Sequence, residues 1–272
     1  MFTLLRTIFV AMIAFAACAG AAVAATTPWQ DLGGGKARLL AELDASTGTV
    51  SGVIEIALDP GWKTYWRQPG SSGIPPQFDF SGSRDFTAGN VAFPVPEHIM
   101  VPESDFVGYH GTVLFPFSGT IGAMSEEGRI HLNFLAGVCK DICIPANAQF
   151  NIPFNQLMLS DPQASDAIEQ ADLLLPGEPE DDFRVDSAVL TEGALDIAVQ
   201  VPDEAAKAEL LVEGPDDWRL VPAVAKSDTG KKRHFFLDLS GVPAGSDITS
   251  TSLRFTLAQN GEGIEQWLTP TR

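Results

Sequence analysis

The sequence predicts an all-β protein, two β-sandwich domains joined by a short helix and an acidic linker. Three observations carry that prediction. Apolar and polar residues alternate over short runs, Pro, Gly, Asp and Ser cluster between the runs, and a single segment has the composition and caps of a helix. The expected division is a leader at 1–25, a first domain at 26–158, helix and linker at 159–182, and a second domain at 183–272.

The opening residues read as an export signal. Arg6 precedes an apolar run from Thr7 to Cys18, and small residues continue to a cleavage site near Ala24 or Ala25. The run is too short to span a bilayer comfortably. Phe15-Ala16-Ala17-Cys18 loosely resembles a lipobox, which would make Cys18 a lipid anchor; Phe is a poor residue at its first position, so the main expectation is a cleaved leader and a periplasmic chain.

Within the first domain, KARLLAELD and TVSGVIEIAL form two strands around Ser46-Thr47-Gly48, and Asp59-Pro60-Gly61 is a turn. Trp62, Tyr65 and Trp66 then stand before a Pro/Gly/Ser-rich stretch, either as core aromatics of a strand or as the wall of a site. Pro94 and Pro96 make 91–100 an edge or connector. ESDFVGYHG, 103–111, shows no period and reads as a loop with exposed aromatic tips before the strand TVLFPF. RIHLNFLAGV alternates as a strand, and AQFNIPF is a short return strand.

Ser160 or Asp161 caps the helix, with Pro162 in its first turn. GEPEDD follows as a solvated linker. ALDIAVQV, AELLVEG, HFFLDLS and SLRFTLAQ are strands of a second sandwich that contains no Tyr or Cys and one His, His234; nothing in it points to chemistry.

Acidic residues outnumber basic ones 35 to 17, a net charge of −18 with no basic stripe, which excludes nucleic acid and anionic membrane surfaces as partners. Hydrolytic and phosphate-binding motifs are missing. What remains is Cys139 and Cys143, the one cysteine pair left after the leader is removed. Fully extended, positions four apart lie about 13 Å from each other, whereas a disulfide needs Cα atoms within roughly 4.4–6.8 Å, so Lys140-Asp141-Ile142 must turn back for the pair to bond. As a staple so short a loop contributes about 2 kcal/mol, against nearly 5 for a hundred-residue loop. Export permits a disulfide. Redox exchange, an inert staple and a Cu(I) site on two thiolates, with Met100, Met124 or His110 as conceivable further ligands, all stay open on the residues alone. Structural zinc would need a second ligand pair. Lys140 lowers and Asp141 raises a neighbouring thiol pKa, so the attacking sulfur is not fixed; taking Cys139 as attacker, Cys143→Ser would trap a partner.

Three motifs in order, GWKTYWRQPGSSGIPPQFDF, DFVGYHGTVLFPF and VCKDICIP, resemble the N-terminal periplasmic domain of the DsbD thiol:disulfide interchange family, and more closely its ScsB (suppressor of copper sensitivity) relatives, over Trp29 to Phe154. The second sandwich resembles the paired module of ScsB-type proteins more weakly. The resemblance implies immunoglobulin-like sandwiches and a Cys139–Cys143 pair that passes electrons to oxidised periplasmic partners without a cofactor. It implies that Asp105-Phe106-Val107-Gly108 matches the shielding loop, with Phe106 as cap, and that Tyr65 lies beside the cysteines; Asp105, Gly108 and Tyr109 complete the expected wall. A cap of this kind predicts that Phe106→Ala speeds reaction with glutathione. The expected partners are thioredoxin-like proteins, disulfide isomerases or a cytochrome maturation factor. DsbD-type proteins continue into a membrane carrier and a Trp-Cys-x-x-Cys domain that this sequence does not show, so a separate membrane donor is expected. The Cys-x3-Cys spacing is tighter than that of DsbD.

Overall fold

Alternation over ten residues in TVSGVIEIAL and eleven in RIHLNFLAGVC places every second side chain on one face, and burying those faces against each other forms the first core. The computed structural model describes residues 25–69, 73–101, 104–226 and 230–272, with the side chains at 100, 101 and 104–106 left aside. Of the expected leader at 1–25, residues 1–24, Cys18 included, lie outside the described residues, while Ala25 is described and is buried in the first core.

The first eleven strands are β1 (Gln30–Asp31), β2 (Gly35–Asp44), β3 (Thr49–Leu58), β4 (Lys63–Tyr65), β5 (Gln77–Asp79), β6 (Phe86–Val91), β7 (Glu97–Val101), β8 (Ser104–His110), β9 (Thr112–Ile121), β10 (Arg129–Cys139) and β11 (Cys143–Pro153). They build one sheet in the order β1-β2-β3-β9-β6 and a second in the order β11-β10-β4-β8-β7, with β5 also on β10. Between the sheets lie Leu39, Ile54, Ile56, Phe115, Ile130, Leu132, Phe134 and Phe150, all buried. A short helix α1 (Phe154–Leu157) leads to α2 (Pro162–Leu173), whose N-cap Asp161 accepts the Gln163 N–H at 3.0 Å. Ala164 and Ala167 of α2 pack on Leu40, and Ala171 on Val53 and Leu114, so this helix covers the outer face of the first sheet.

The second sandwich comprises β12 (Arg184–Thr191), β13 (Ala194–Gln200), β14 (Ala208–Glu213), β15 (Val224–Ala225), β16 (Lys232–Asp238), β17 (Leu253–Gln259) and β18 (Glu262–Leu268). Its sheets run β12-β13-β16-β15 and β14-β17-β18 around Leu195, Ile197, Phe235, Phe255 and Leu257. The chain is thus two immunoglobulin-like sandwiches joined by a helix.

Three sequence expectations change. Residues 104–110 form a strand, not a loop with exposed tips, and Tyr109 is buried. The strand sits between β4 and β7, and Val107, Gly108 and Tyr109 are all covered, which removes the alternation that sequence reading depends on. The return strand β11 is not short, since it begins at Cys143 itself. Finally, β12, β15 and β18 add to the four strands expected in the second sandwich.

Candidate functional site

Strands β10 and β11 pair in continuous antiparallel register from Arg129↔Pro153 to Cys139↔Cys143. The register ends with the two cysteines opposite each other, their Cα atoms 4.1 Å apart and their sulfurs bonded. Lys140-Asp141-Ile142 is the turn, and the Lys140 N–H donates to the Ile142 carbonyl at 3.2 Å. The hairpin end therefore supplies the return of the chain that the Cys-x3-Cys spacing demands.

Strand β4 lies against this end, with Val138↔Thr64 and Cys139↔Lys63 in register. Thr64, fully buried, donates its hydroxyl to the Gly137 carbonyl at 2.9 Å. Its neighbour Tyr65 is 4% exposed, with Oη 3.0 Å from Cys139 Sγ and 2.9 Å from Cys143 Sγ. A disulfide sulfur carries no proton, so the phenol is the donor, its single O–H shared between the two sulfurs. Burial raises the Tyr65 pKa above its ordinary 10.0, which keeps this donor neutral at physiological pH.

Two glycines make room for the ring. A Cβ on Gly137 would stand 2.8 Å from Tyr65 ring carbons and 2.9 Å from Ile74, and one on Gly73 would meet Tyr65 at 2.8 Å. Ile74, Ile99, Tyr65 and Cys139 form a small apolar cluster apart from the main core. The two sulfurs differ sharply in access. Cys139 is 4% exposed, whereas Cys143 is exposed and follows Ile142, which is 70% exposed.

A nucleophile from solvent thus meets Cys143, and cleavage leaves the electron pair on Cys139, beside the Tyr65 hydroxyl. Hydrogen bonding to a thiolate favours the charged form, so the phenol stabilises the departing sulfur. Exchange chemistry requires an accessible sulfur, and this end supplies one in Cys143, with the Tyr65 hydroxyl beside both sulfurs.

The structure brings Cys139, Cys143 and Tyr65 together. Gly108 lies opposite Tyr65 in the β4–β8 register. Tyr109 goes elsewhere: its hydroxyl donates to the Pro94 carbonyl at 2.9 Å and its ring stands edge-on to Phe115 in the main core. It supports the sheet rather than walling the disulfide. Phe106 pairs with Ile99 and Asp105 with Met100 across the β7–β8 hairpin, while their side chains lie outside the described residues. Of the conceivable copper ligands, His110 pairs with Glu97 at 3.2 Å and Met124 is exposed between β9 and β10; the Met100 side chain is not described. Among the described residues no group of three or more His, Cys, Asp and Glu is placed to hold a metal. Sequence reasoning missed Thr64, Ile74, Ile99, Gly137 and Ile142. Gly137 was findable, since a glycine inside a strand marks a close approach; the others depend on pairing between distant segments.

Residues 36–154 match the family described as "Thiol:disulfide interchange protein DsbD, N-terminal". The first sandwich belongs to this family. Over both sandwiches the chain superposes on the N-terminal periplasmic domain of ScsB from Proteus mirabilis with a TM-score of 0.74, covering 92% of this chain and 99% of that one at 22% identity. That likeness shows a shared two-sandwich fold. A conserved domain protein from Bacillus anthracis aligns over 85% of this chain and 77% of its own at 10% identity and a TM-score of 0.23, too low to inform the comparison. No curated protein sequence matches significantly. Among the described residues, no helix is long and apolar enough to cross a membrane.

Proposed function

We propose that this chain is a periplasmic thiol:disulfide exchange module of the DsbD N-terminal kind, carrying electrons to oxidised partner proteins through Cys139 and Cys143. The observation that carries the reading is the asymmetry of the pair, a buried Cys139 held by Tyr65 and an exposed Cys143 at the hairpin end, inside a sandwich of that family.

In the reduced protein the Cys143 thiolate attacks a partner disulfide, forming a mixed disulfide and releasing one partner thiol. Cys139 then attacks Cys143 Sγ, closing the intramolecular disulfide and releasing the second partner thiol. Two electrons pass to the partner, and a separate membrane donor restores the dithiol. Thioredoxin-like and disulfide isomerase proteins fit as partners, because each presents one reactive disulfide to an exposed sulfur. This order reverses the role expected for Cys139 from sequence. The β7–β8 hairpin is the cover of the site in this reading, with Phe106 at the register position beside Ile99 as its cap.

The test is trapping. Cys139→Ser, incubated with an oxidised thioredoxin-like protein, should accumulate a mixed disulfide through Cys143 on a non-reducing gel, and Cys143→Ser should not. Failure of both variants to trap any such protein would sink the proposal.

A further inference from the structure

Among the described residues the second sandwich contributes none to the disulfide site, yet it grips the chain just beyond the strand that holds Tyr65. Arg67 stands two residues after Tyr65, at most about 7 Å of chain away. Glu213, at the end of β14, accepts from Arg67 Nε at 2.8 Å and Nη2 at 2.7 Å, and the same carboxylate accepts from Arg254 Nη2 at 2.7 Å and Nε at 2.8 Å. Glu265 of β18 also pairs with Arg67, and Thr256 donates to that carboxylate at 3.3 Å. The Glu213 side chain is 8% exposed and that of Arg67 16%. Arg67 is further fixed over the Trp66 ring at 4.4 Å and the Phe93 ring at 5.5 Å. Desolvation works against its charge, but Glu213 and then Glu265 more than offset it, so its pKa lies above the ordinary value.

Beyond Arg67 the chain runs back to the site. The Ile74 carbonyl accepts from Gly137 N–H at 3.2 Å, and Ile74 packs with Tyr65 and Cys139. A cleft of about 500 Å³ separates Pro69, Gly73 and Pro75 on one side from Trp218, Arg254 and Trp267 on the other.

We propose that the second sandwich tunes the redox site through Arg67, a positioning residue which, clamped by Glu213, holds Tyr65 against the two sulfurs. The proposal rests on the exchange reading for its significance but not for its test. Releasing the clamp lets β4 shift, withdraws the Tyr65 hydroxyl and opens a path to the sulfurs. The join between sandwiches survives that release, because His98 N–H donates to Glu209 at 3.0 Å and Leu211 is packed into the first core.

The measurement uses the full chain and dithiothreitol. Its thiolate attacks Cys143 Sγ and frees the Cys139 thiol; its second thiol closes the reagent's cyclic disulfide and frees Cys143, two electrons in all. Glu213→Gln should raise the second-order rate of reduction threefold or more and shift the aromatic-ring NMR signals of Tyr65. Arg67→Lys, which keeps the charge but loses the fork geometry, should raise the rate by a smaller factor and guards against misfolding of the first variant. Asp196→Asn, which breaks the Lys226–Asp196–His234 cluster elsewhere in the second sandwich, should leave the rate unchanged. Rates equal to wild type for both clamp variants, or an equal rise in Asp196→Asn, would overturn the proposal. The reagent is not a partner protein, so failure of both Cys139→Ser and Cys143→Ser to trap a partner would refute the exchange reading while leaving this result standing.

Discussion

The hairpins β10–β11 and β17–β18 have the same topology and opposite reasons for their shape. The second closes on Asn260-Gly261, with φ of 55° and 83°, between the paired Gln259 and Glu262. Two left-handed residues match the twist of the strands, so this turn is dictated locally. The first closes on Lys140-Asp141-Ile142, none of which has positive φ, whereas three-residue hairpin loops usually end on a left-handed residue. Its ends are held instead by a disulfide, by Tyr65 and by the strand β4. A turn held by its surroundings can change state when the bond opens; a turn held by its own residues has no such option. Of the two turns, the disulfide sits at the one whose own residues do less to hold it.

Gly137→Ala strikes the first hairpin hardest. Its Cβ would meet the Tyr65 ring at 2.8 Å, and such overpacking costs about 1–3 kcal/mol. Urea unfolding should show that loss, and reduction by dithiothreitol should accelerate because the ring is displaced from the sulfurs. An unchanged reduction rate would mean that Tyr65 does not guard the pair.

Gly261→Ala is the counterpart in the second hairpin. A left-handed alanine costs about 1–2 kcal/mol. The loss should appear in unfolding with the disulfide's reactivity unaltered, because this turn has no part in holding the site. A change in reactivity would erase the contrast between the two hairpins.

Tyr109→Phe tests a smaller difference. The only two tyrosines, Tyr65 and Tyr109, are both in the first sandwich. Burial raises the Tyr109 pKa well above 10.0, with the charge of Arg67 opposing. Below pH 10 folded and unfolded chains both keep the proton, so this group gives no pH dependence there. Above pH 10 the unfolded chain releases it while the folded chain holds it, and stability falls as pH rises until the folded pKa is passed. The phenylalanine variant should lose about 1 kcal/mol at neutral pH, with its bond to Pro94, and show a flatter decline above pH 10. An alkaline limb as steep as that of the wild type would reassign it.

Much of this was legible in advance. The paired strands β2, β3 and β10, the helix with its Asp161 cap and the all-β class follow from alternation and turn residues. That Tyr65 lies beside Cys139 and Cys143 follows from local pattern and likeness to a family. Strand β8 was missed because covering both faces erases its period, and Tyr109 was assigned to the wall because nothing local shows that its hydroxyl reaches Pro94. The asymmetry of the sulfurs, the glycine sleeve around Tyr65 and the Arg67–Glu213 clamp depend on segments up to 146 residues apart. No window of sequence contains them.

The measurement closest to the central claim is the reduction potential of the Cys139–Cys143 pair in the full chain, equilibrated against glutathione buffers. Structural disulfides typically lie below about −300 mV. An exchange module requires a value well above that, with the pair titrating between oxidised and reduced forms in the glutathione range. A pair that stays oxidised throughout, with a potential below about −300 mV, would contradict the account and make the disulfide a staple at the end of an ordinary hairpin.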